Sequence, residues 1–351
     1  MSKIRILSID GGGIRGILPG MVISRLEEKL QQFTKDKNAR IADYFDLFAG
    51  TSTGGILSLS YLVPDQNQRP QLSARDSVDL YLEKGDEIFD VNLWQKLRSA
   101  GGVLDEKYNA KALESALEQT FEDIMLSDLL KPCIISSYDV ENAKPHFFKQ
   151  HKSGNKIYNF KVKDVARATS AAPTYFEAAR IKNELGTNFA LIDGGLFANN
   201  PSMVAYSEAR AMAFENKIDY PSAKDMMIVS VGTGSQSKSY PYDKVKDWGQ
   251  IQWVKPVIEI MMSGSSSTTH YHLNKIYDTL ALKTDKDNYH RLEPIVKSAD
   301  SQMDNASPDN LLKLKEDALS YISREEVDEE LNAIAQKLIG YKKAEVVKLK
   351  K

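Results

Sequence analysis

The feature that most constrains the fold is a pattern that occurs twice near the start of the chain: a short apolar run, a glycine-rich turn and then a helical periodicity. Residues 4–9 are apolar and β-branched, and they end in Asp10-Gly-Gly-Gly-Ile-Arg-Gly16 before a helical pattern to about residue 32. The apolar run 44–49 ends in Gly50-Thr-Ser-Thr-Gly54, and a second helical pattern follows. A strand, a tight turn and a helix in that order predict units of a parallel sheet.

The same alternation continues along most of the chain. Further strands are predicted at 133–138, 145–149, 189–192 and 226–231. Helices are predicted at 163–170, 202–215, 250–262, 308–322 and 324–348, and residues 74–130 are mostly helical with a break at Gly101-Gly102. Strands that alternate with helices indicate an α/β fold, in which a largely parallel sheet has helices on both faces. No linker divides the chain, so we predict one domain with insertions.

The composition excludes several classes of function. The chain has 351 residues, with 46 basic and 48 acidic side chains, so its net charge of −2 gives no overall basic field to recruit nucleic acid. The single cysteine, Cys133, excludes an intramolecular disulfide and a multi-cysteine metal site. No run of about 18 apolar residues occurs, and the N-terminus lacks the apolar stretch of a signal peptide. We therefore expect a cytoplasmic protein that would meet any lipid from the water side.

The glycine turn at residues 11–16 has three interpretations. Gly11, Gly13 and Gly16 fit the dinucleotide-binding pattern, since they follow a predicted strand and precede a predicted helix. That pattern also requires a second strand that ends in an acidic residue about 20 positions later, whereas residues 31–40 are a polar loop. In the second interpretation, the backbone N–H groups of the turn stabilise an oxyanion beside a helix N-terminus. The third is a tight turn that binds nothing.

Ser52 lies in a G-x-S-x-G sequence between a predicted strand and a predicted helix, which is the context of a nucleophile elbow. A serine nucleophile needs a base, and none of the five histidines stands in a glycine-rich turn at the end of a predicted strand. Asp193 does, because it ends an apolar run and precedes two glycines. An aspartate can act as the base if burial raises its affinity for a proton. Taken alone, the Asp-Gly-Gly sequence would indicate only a turn.

These three motifs in this order resemble the patatin-like phospholipase family. The family pattern is matched by Asp10–Gly16, Gly50–Gly54 and Asp193–Gly195. The segment Ala168–Phe176 is similar to the one that precedes the aspartate strand in the family, and Asn200-Pro201 follows where the family often has Asn-Pro. Four ordered matches are far more specific than any one of them.

The resemblance covers roughly residues 3–235 and implies a three-layer α/β/α fold with a mostly parallel central sheet. It implies that Ser52 attacks a lipid ester and that Asp193 is its base, with no metal and no cofactor. The implied oxyanion donors are Gly11, Gly12 and Gly13. The implied supporting residues are Arg15, Gly50, Gly54 and Gly194.

The resemblance also implies partners and a division of the chain. The substrates would be membrane phospholipids, reached by peripheral contact with the membrane, and some bacterial members of the family are antiviral effectors that a cyclic dinucleotide activates. Residues 1–240 would be the catalytic core, and residues 241–351 a C-terminal helical elaboration packed on the same domain. Two alternatives stay open: a nucleotide-binding oxidoreductase that uses the 11–16 turn, and a catalytically silent binding protein with the same fold.

The stretch 247–262 is apolar and rich in aromatic residues, with Trp248 and Trp253 among them. It is interpreted first as a helix that packs on the sheet. The alternative is a lid, or a helix that contacts lipid over the active site.

Overall fold

The computed structural model describes residues 3–88, 110–214, 217–234 and 239–349, and the strands among them form one eight-stranded sheet. The strands are β1 (Ile4–Ile9), β2 (Leu47–Thr51), β3 (Cys133–Asp139), β4 (Lys144–Lys149), β5 (Ala179–Lys182), β6 (Asn188–Asp193), β7 (Met226–Val231) and β8 (Tyr289–Leu292). The helices are α1 (Ile17–Thr34), α2 (Thr53–Ser60), α3 (Ala74–Ile88), α4 (Ala110–Phe121), α5 (Val162–Thr169), α6 (Gly195–Ala198), α7 (Ser202–Arg210), α8 (Tyr242–Val245), α9 (Gln250–Asp278), α10 (Lys283–Lys286), α11 (Pro308–Ile322) and α12 (Glu325–Leu349).

The centre of the sheet is parallel. Strands β3, β2, β1, β7 and β8 lie side by side in that order and run in the same direction. The remaining strands are antiparallel to their neighbours: β4 and β6 both pair with β3, and β5 pairs with β6. The predicted α/β class with a mostly parallel sheet is therefore confirmed, with an antiparallel region at one side.

The hydrophobic core lies on both faces of this sheet. Successive residues of a strand point to opposite faces. In β1, Leu7 and Ile9 join one buried cluster, whereas Ile4 and Ile6 join another. Helices α1, α2, α4, α5 and α12 pack on the first face, and α7 and α9 pack on the second. This confirms the three-layer α/β/α arrangement.

Strand β3 brings two other strands together end to end. Because β4 pairs along one edge of β3, strands β2 and β6 share the opposite edge. The parallel strand β2 ends with Thr51 opposite Ser136, and the antiparallel strand β6 ends with Asp193 opposite Ser137. The carboxyl ends of β2 and β6 therefore meet head to head at adjacent positions of β3.

Three elements differ from the sequence prediction. Strands β5 and β8 have only four residues each and were not predicted, and β8 contains the charged Arg291. Helix α9 continues to Asp278 instead of ending at residue 262, because hydroxyls of its serine-rich middle bind neighbouring residues and offset the low helix propensity of Ser and Gly. The predicted break at Gly101-Gly102 lies outside the described residues. No helix in the described ranges is long and apolar enough to cross a membrane.

The C-terminal segment packs into the same core as the first 240 residues. Strand β8 pairs with β7, and Leu331, Ile334 and Leu338 of α12 are fully buried in the cluster that also contains Leu7 of β1. Separating this segment from the sheet would expose those side chains to water.

Leu338→Ala is therefore expected to lower the free energy of unfolding by about 2–5 kcal/mol, because it leaves a cavity in the shared core. Unfolding in urea should give one transition, with the same midpoint by circular dichroism and by tryptophan fluorescence. Leu312→Ala on α11 is the control, since Leu312 is 61% exposed, and it should change stability by less than about 0.5 kcal/mol. Two separate transitions would show that the C-terminal segment folds on its own.

Candidate active site

Ser52 lies in a strained turn between β2 and α2. Its φ of 54° and ψ of −126° are rare for a residue with a side chain and cost about 1–3 kcal/mol. The flanking glycines permit the turn. A Cβ on Gly50 would lie 2.6 Å from Cα of Gly55, and one on Gly54 would lie 2.6 Å from the carbonyl oxygen of Asp10. Ser52 therefore has the strained strand-to-helix turn that the sequence predicts, and close packing explains both glycines.

The Ser52 turn is held by a threonine that the sequence analysis did not single out. The Ser52 N–H donates to Oγ1 of Thr169 at 2.8 Å, and that hydroxyl donates to the carbonyl oxygen of Ser136 at 2.6 Å. Thr169 lies in the segment Ala168–Phe176, which was noted only as a motif. This link between β3, α5 and the elbow fixes the backbone from which the Ser52 hydroxyl projects.

Asp193 reaches the same place from the end of β6. Its N–H donates to the carbonyl oxygen of Ala171 at 3.0 Å, and its Oδ1 accepts from the N–H of Gly195 at 2.7 Å. Its Oδ2 is buried without a hydrogen bond of good geometry. Gly194 allows close packing here, because a Cβ would lie 2.6 Å from the carbonyl carbon of Ser136.

The environment of Asp193 suits proton transfer. Burial raises the pKa of the Asp193 carboxyl to about 7, and the nearby Ser52 hydroxyl and the Gly195 N–H oppose this by lowering it. The side chain is only 2% exposed, so loss of solvation dominates. A base whose pKa lies near neutral pH can both accept and return a proton.

The glycine turn packs directly against the elbow, but it offers fewer donors than expected. A Cβ on Gly11 would lie 3.2 Å from Cβ of Ser52, so the turn borders Ser52. The Gly11 N–H, however, donates to the carbonyl oxygen of Asn199 at 3.0 Å. Of the three glycines expected to supply oxyanion donors, Gly11 therefore has its N–H already engaged, and the oxyanion role of the turn stays a prediction. The N–H groups of Gly12 and Gly13 donate to no atom of the described residues.

The rest of the turn is anchored on both sides. The Ile14 N–H donates to the carbonyl oxygen of Met303 at 2.9 Å, and Gly13 has a φ of 60° that favours glycine. The Arg15 guanidinium donates to the carbonyl oxygens of Gly12 and Gly234, each at 3.4 Å. Burial lowers the pKa of Arg15, although nearby carboxylates oppose this. Arg15 therefore lies beside the turn, where the sequence placed it.

Two cavities adjoin the turn. An apolar cavity of about 60 Å³ contains Ser52 and Asp193. Its other walls include Ile56, Tyr81, Leu113, Ala172, Tyr175, Phe176, Met262 and Met303. A larger, polar cavity of about 890 Å³ is lined by charged side chains that include Arg15, Glu259, Arg291 and Glu293. Met262 and Met303 line both cavities, so they separate an apolar space from a polar one.

The five histidines have partners elsewhere, and in the described part of the chain none is hydrogen-bonded to Ser52 or Asp193. His146 lies among the rings of Phe148, Phe160 and Phe189, where burial lowers its pKa to about 4. The contacts of the others are His151 with Glu208, His270 with Tyr289, His272 with Tyr271, and His290 with Glu330.

Known proteins are similar to this chain over the region that contains Ser52 and Asp193. The family description "Patatin-like phospholipase" matches residues 7–206. The chain is 34% identical to Patatin-like protein 1 of Arabidopsis thaliana over 337 residues, which cover 90% of this chain and 80% of the relative. The chain belongs to the patatin-like phospholipase family. By its family it is a lipid-ester hydrolase. The dinucleotide interpretation of the glycine turn does not fit this membership, and no strand is present at residues 31–40.

Other similar proteins include one whose name denotes lost activity. The chain is 32% identical to Probable inactive patatin-3-Kuras 1 of Solanum tuberosum over 324 residues, which cover 89% of this chain and 84% of the relative. Among solved structures, human GIVD cytosolic phospholipase A2 in complex with methyl gamma-linolenyl fluorophosphonate is similar over 99% of this chain and 60% of that chain. It is 14% identical, with a TM-score of 0.45.

Ser52→Ala is expected to abolish covalent labelling by a fluorophosphonate, because Ser52 combines the strained elbow with a neighbouring base. Labelling is measured by intact mass and by mapping the modified peptide. Ser58→Ala is the matched control, since it removes a buried hydroxyl from the same helix α2, and it should label within about twofold of wild type. Labelling that persists in Ser52→Ala would disprove the assignment.

The pKa of Asp193 predicts the pH dependence of the reaction. The carboxyl accepts a proton only when it is ionised, so kcat/KM should rise about tenfold per pH unit below about pH 7 and level off above it. Asp193→Asn should lower kcat by about 10²–10⁴-fold. Asp139→Asn, on the adjacent strand β3, is the control. A histidine-to-glutamine variant as inactive as Asp193→Asn would instead indicate a triad.

The same burial gives Asp193→Asn an opposite effect on stability. A pKa raised from 3.8 to about 7 by folding stabilises the folded state at low pH, and this contribution is lost as the pH rises from about 4 to about 7. Asparagine stays neutral, so the variant should be more stable than wild type at pH 8, on the order of 1–4 kcal/mol. Urea unfolding at pH 4 and pH 8 measures the difference. Equal stability at pH 8 would contradict the raised pKa.

Proposed function

We propose that this chain hydrolyses the carboxylic esters of membrane phospholipids through a Ser52–Asp193 dyad and an acyl-enzyme. The observation that carries the proposal is the junction of β2 and β6. It sets a strained serine beside a buried aspartate, at the wall of an apolar cavity. A hydroxyl, a base of near-neutral pKa and an apolar space are what the hydrolysis of a lipid ester requires.

The reaction would proceed in two halves. The Ser52 oxygen bonds to the ester carbonyl carbon while Asp193 accepts the hydroxyl proton, and the N–H groups of Gly12 and Gly13 stabilise the oxyanion. The carbon–oxygen bond to the leaving alcohol then breaks, and Asp193 returns the proton to that alcohol. A water molecule next attacks the acyl-enzyme and gives its proton to Asp193. The bond between the acyl carbon and the Ser52 oxygen then breaks, Asp193 returns the proton to that oxygen, and the fatty acid leaves.

The two cavities support an amphiphilic substrate. The apolar cavity beside Ser52 suits an acyl chain, and the polar cavity suits the glycerol and phosphate side of a phospholipid. The ester bond would then lie at the partition formed by Met262 and Met303. A uniformly polar ester would gain nothing from the first space, and a pure hydrocarbon would gain nothing from the second.

Helix α9 supports contact with a membrane surface. In its first half, Ile251, Val254, Val257 and Met261 recur at helical spacing and are 89%, 51%, 42% and 45% exposed. The same helix places Met262 at the wall of the apolar cavity beside Ser52. Burial of the exposed face in lipid would favour a displaced position of α9 in which the cavity is wider.

Hydrogen bonds of serine hydroxyls, in addition to apolar packing, hold helix α9 against the site. The Ser265 hydroxyl donates to the carbonyl oxygen of Phe197 at 3.1 Å, and the Asn199 side-chain amide donates to the Ser266 hydroxyl at 3.0 Å. Such single hydrogen bonds are each worth about 0.5–1.5 kcal/mol. These hydrogen bonds are weak enough for a lipid surface to displace. One helix could then both pack on the sheet and contact lipid, the two interpretations of the 247–262 stretch.

Hydrolysis of phospholipid liposomes, measured as release of fatty acid and lysophospholipid, tests this function. The double variant Ile251→Ser/Val254→Ser should lower liposome hydrolysis more than tenfold, because each buried aliphatic side chain contributes about 1.5–3 kcal/mol to lipid contact. It should change hydrolysis of a water-soluble p-nitrophenyl ester by less than about twofold.

The matched control is Leu185→Ser, which removes an apolar side chain that is 58% exposed in the turn between β5 and β6. Equal losses on the liposome and on the soluble ester would count against membrane contact by α9. The absence of any fatty acid release by wild type would count against the function itself. Activation by a cyclic dinucleotide, and with it an antiviral role, stays a prediction, which the same assay tests when such nucleotides are added.

A further inference from the structure

A buried ion pair joins the glycine turn to the C-terminal segment. Asp10 is the residue immediately before Gly11, and both of its carboxylate oxygens accept hydrogen bonds from Arg291 of β8, at 2.9 Å and 2.7 Å. Asp10 is 2% exposed. Paired, two-pronged contacts of this kind fix direction as well as distance, so the end of β1 is held in one orientation.

The Arg291 side chain reaches Asp10 across strand β7 because the residues that it passes are small. Arg291 lies opposite Ser230 of β7, which in turn lies opposite Ser8 of β1. Because both serines are small, the guanidinium extends over them, and its Nη1 also donates to the Ser230 hydroxyl at 2.8 Å. Arg291 donates as well to Glu293, two residues along β8.

The remaining neighbours of Asp10 could not replace this cation. Ser266 of α9 donates a long hydrogen bond of 3.3 Å to the Asp10 carboxylate. His270 of the same helix also lies near Asp10, but its two ring nitrogens are hydrogen-bonded to the Tyr289 hydroxyl and to the Asn274 side-chain amide. Removing Arg291 would thus leave a buried carboxylate without a compensating charge, and the carboxylate would have to move or take up a proton.

We propose that Arg291 is a positioning residue, which acts through Asp10 to hold the N–H groups of Gly12 and Gly13 where they meet the oxyanion. This rests on the proposed function, which assigns the turn to that role. Arg291 itself lies on the wall of the polar cavity and does not touch the dyad. Displacement of the donors by about 1 Å would be enough to cost turnover about a hundredfold.

Strand β1 supplies a matched control at its opposite end. Arg5 donates two hydrogen bonds to Asp46, at 2.9 Å and 2.8 Å, and Arg5 is also 2% exposed. Both pairs are buried arginine–aspartate contacts of the same strand, but Arg5 lies at the end away from the glycine turn. A loss of function that follows only from breaking a buried pair would appear in both variants.

The test compares Arg291→Met, Arg291→Lys and Arg5→Met at a temperature where each is folded. Arg291→Met should lower kcat by about 10–100-fold on a soluble ester with KM changed less than about threefold, and Arg291→Lys should recover part of it. Arg5→Met should keep kcat within about twofold even if it lowers the melting temperature more. Asp10→Asn combined with Arg291→Met should lose no more than the worse single variant, because both act on one turn.

Hydrogen exchange of the peptide that contains residues 10–16 gives a second arm that needs no activity. Arg291→Met should speed exchange there, and Arg5→Met should not. If this happens while wild type hydrolyses no ester, the positioning holds and the proposed function fails. Unchanged exchange, or a kcat equal to wild type in folded Arg291→Met, would overturn the role of Arg291 and leave the dyad standing.

Discussion

The site depends on how one edge of β3 is shared. Two strands that approach the same edge from opposite directions leave no room between their ends, so the residues that follow them are forced together. Ser52 follows one end and Asp193 forms the other. The separation of Ser52 and Asp193 is thereby set by the backbone hydrogen bonds of the sheet. Loops can vary in length around this junction without moving the dyad.

Burial would account for a second property of the proposed dyad, the use of an aspartate without a histidine. In water a carboxylate is too weak a base to take a proton from a hydroxyl, and a histidine usually bridges that gap. Here the loss of solvation at Asp193 raises its proton affinity into the range that imidazole normally covers. The arrangement stores unfavourable free energy in the folded protein, at the aspartate and in the strained backbone of Ser52. Stability is thus exchanged for reactivity at two adjacent positions.

The parts of the site that local sequence encodes could be predicted. Gly50–Gly54 and Asp193 each combine a strand end with a turn, so their context was readable along the chain. The parts that arise from tertiary contact could not. Whether the Gly11 N–H is free depends on its contact with Asn199. Arg291 belongs to a strand of only four residues, and its charged side chain does not indicate a buried strand. The predicted end of α9 at residue 262 was too early for the same reason. Contacts with residues distant in sequence stabilise the serine-rich middle of this helix.

The contact between Asp10 and Arg291 spans 281 positions of the chain. A ribosome therefore delivers the strand that carries the turn long before it delivers the strand that anchors it. During that interval β1, β2 and β7 can pair, yet the charge at the end of β1 has no arginine to meet it. Among the described strands, β8 is the last in the chain, and it lies at the edge of the sheet. The order of synthesis therefore leaves the turn beside Ser52 without its arginine anchor until β8 has been made.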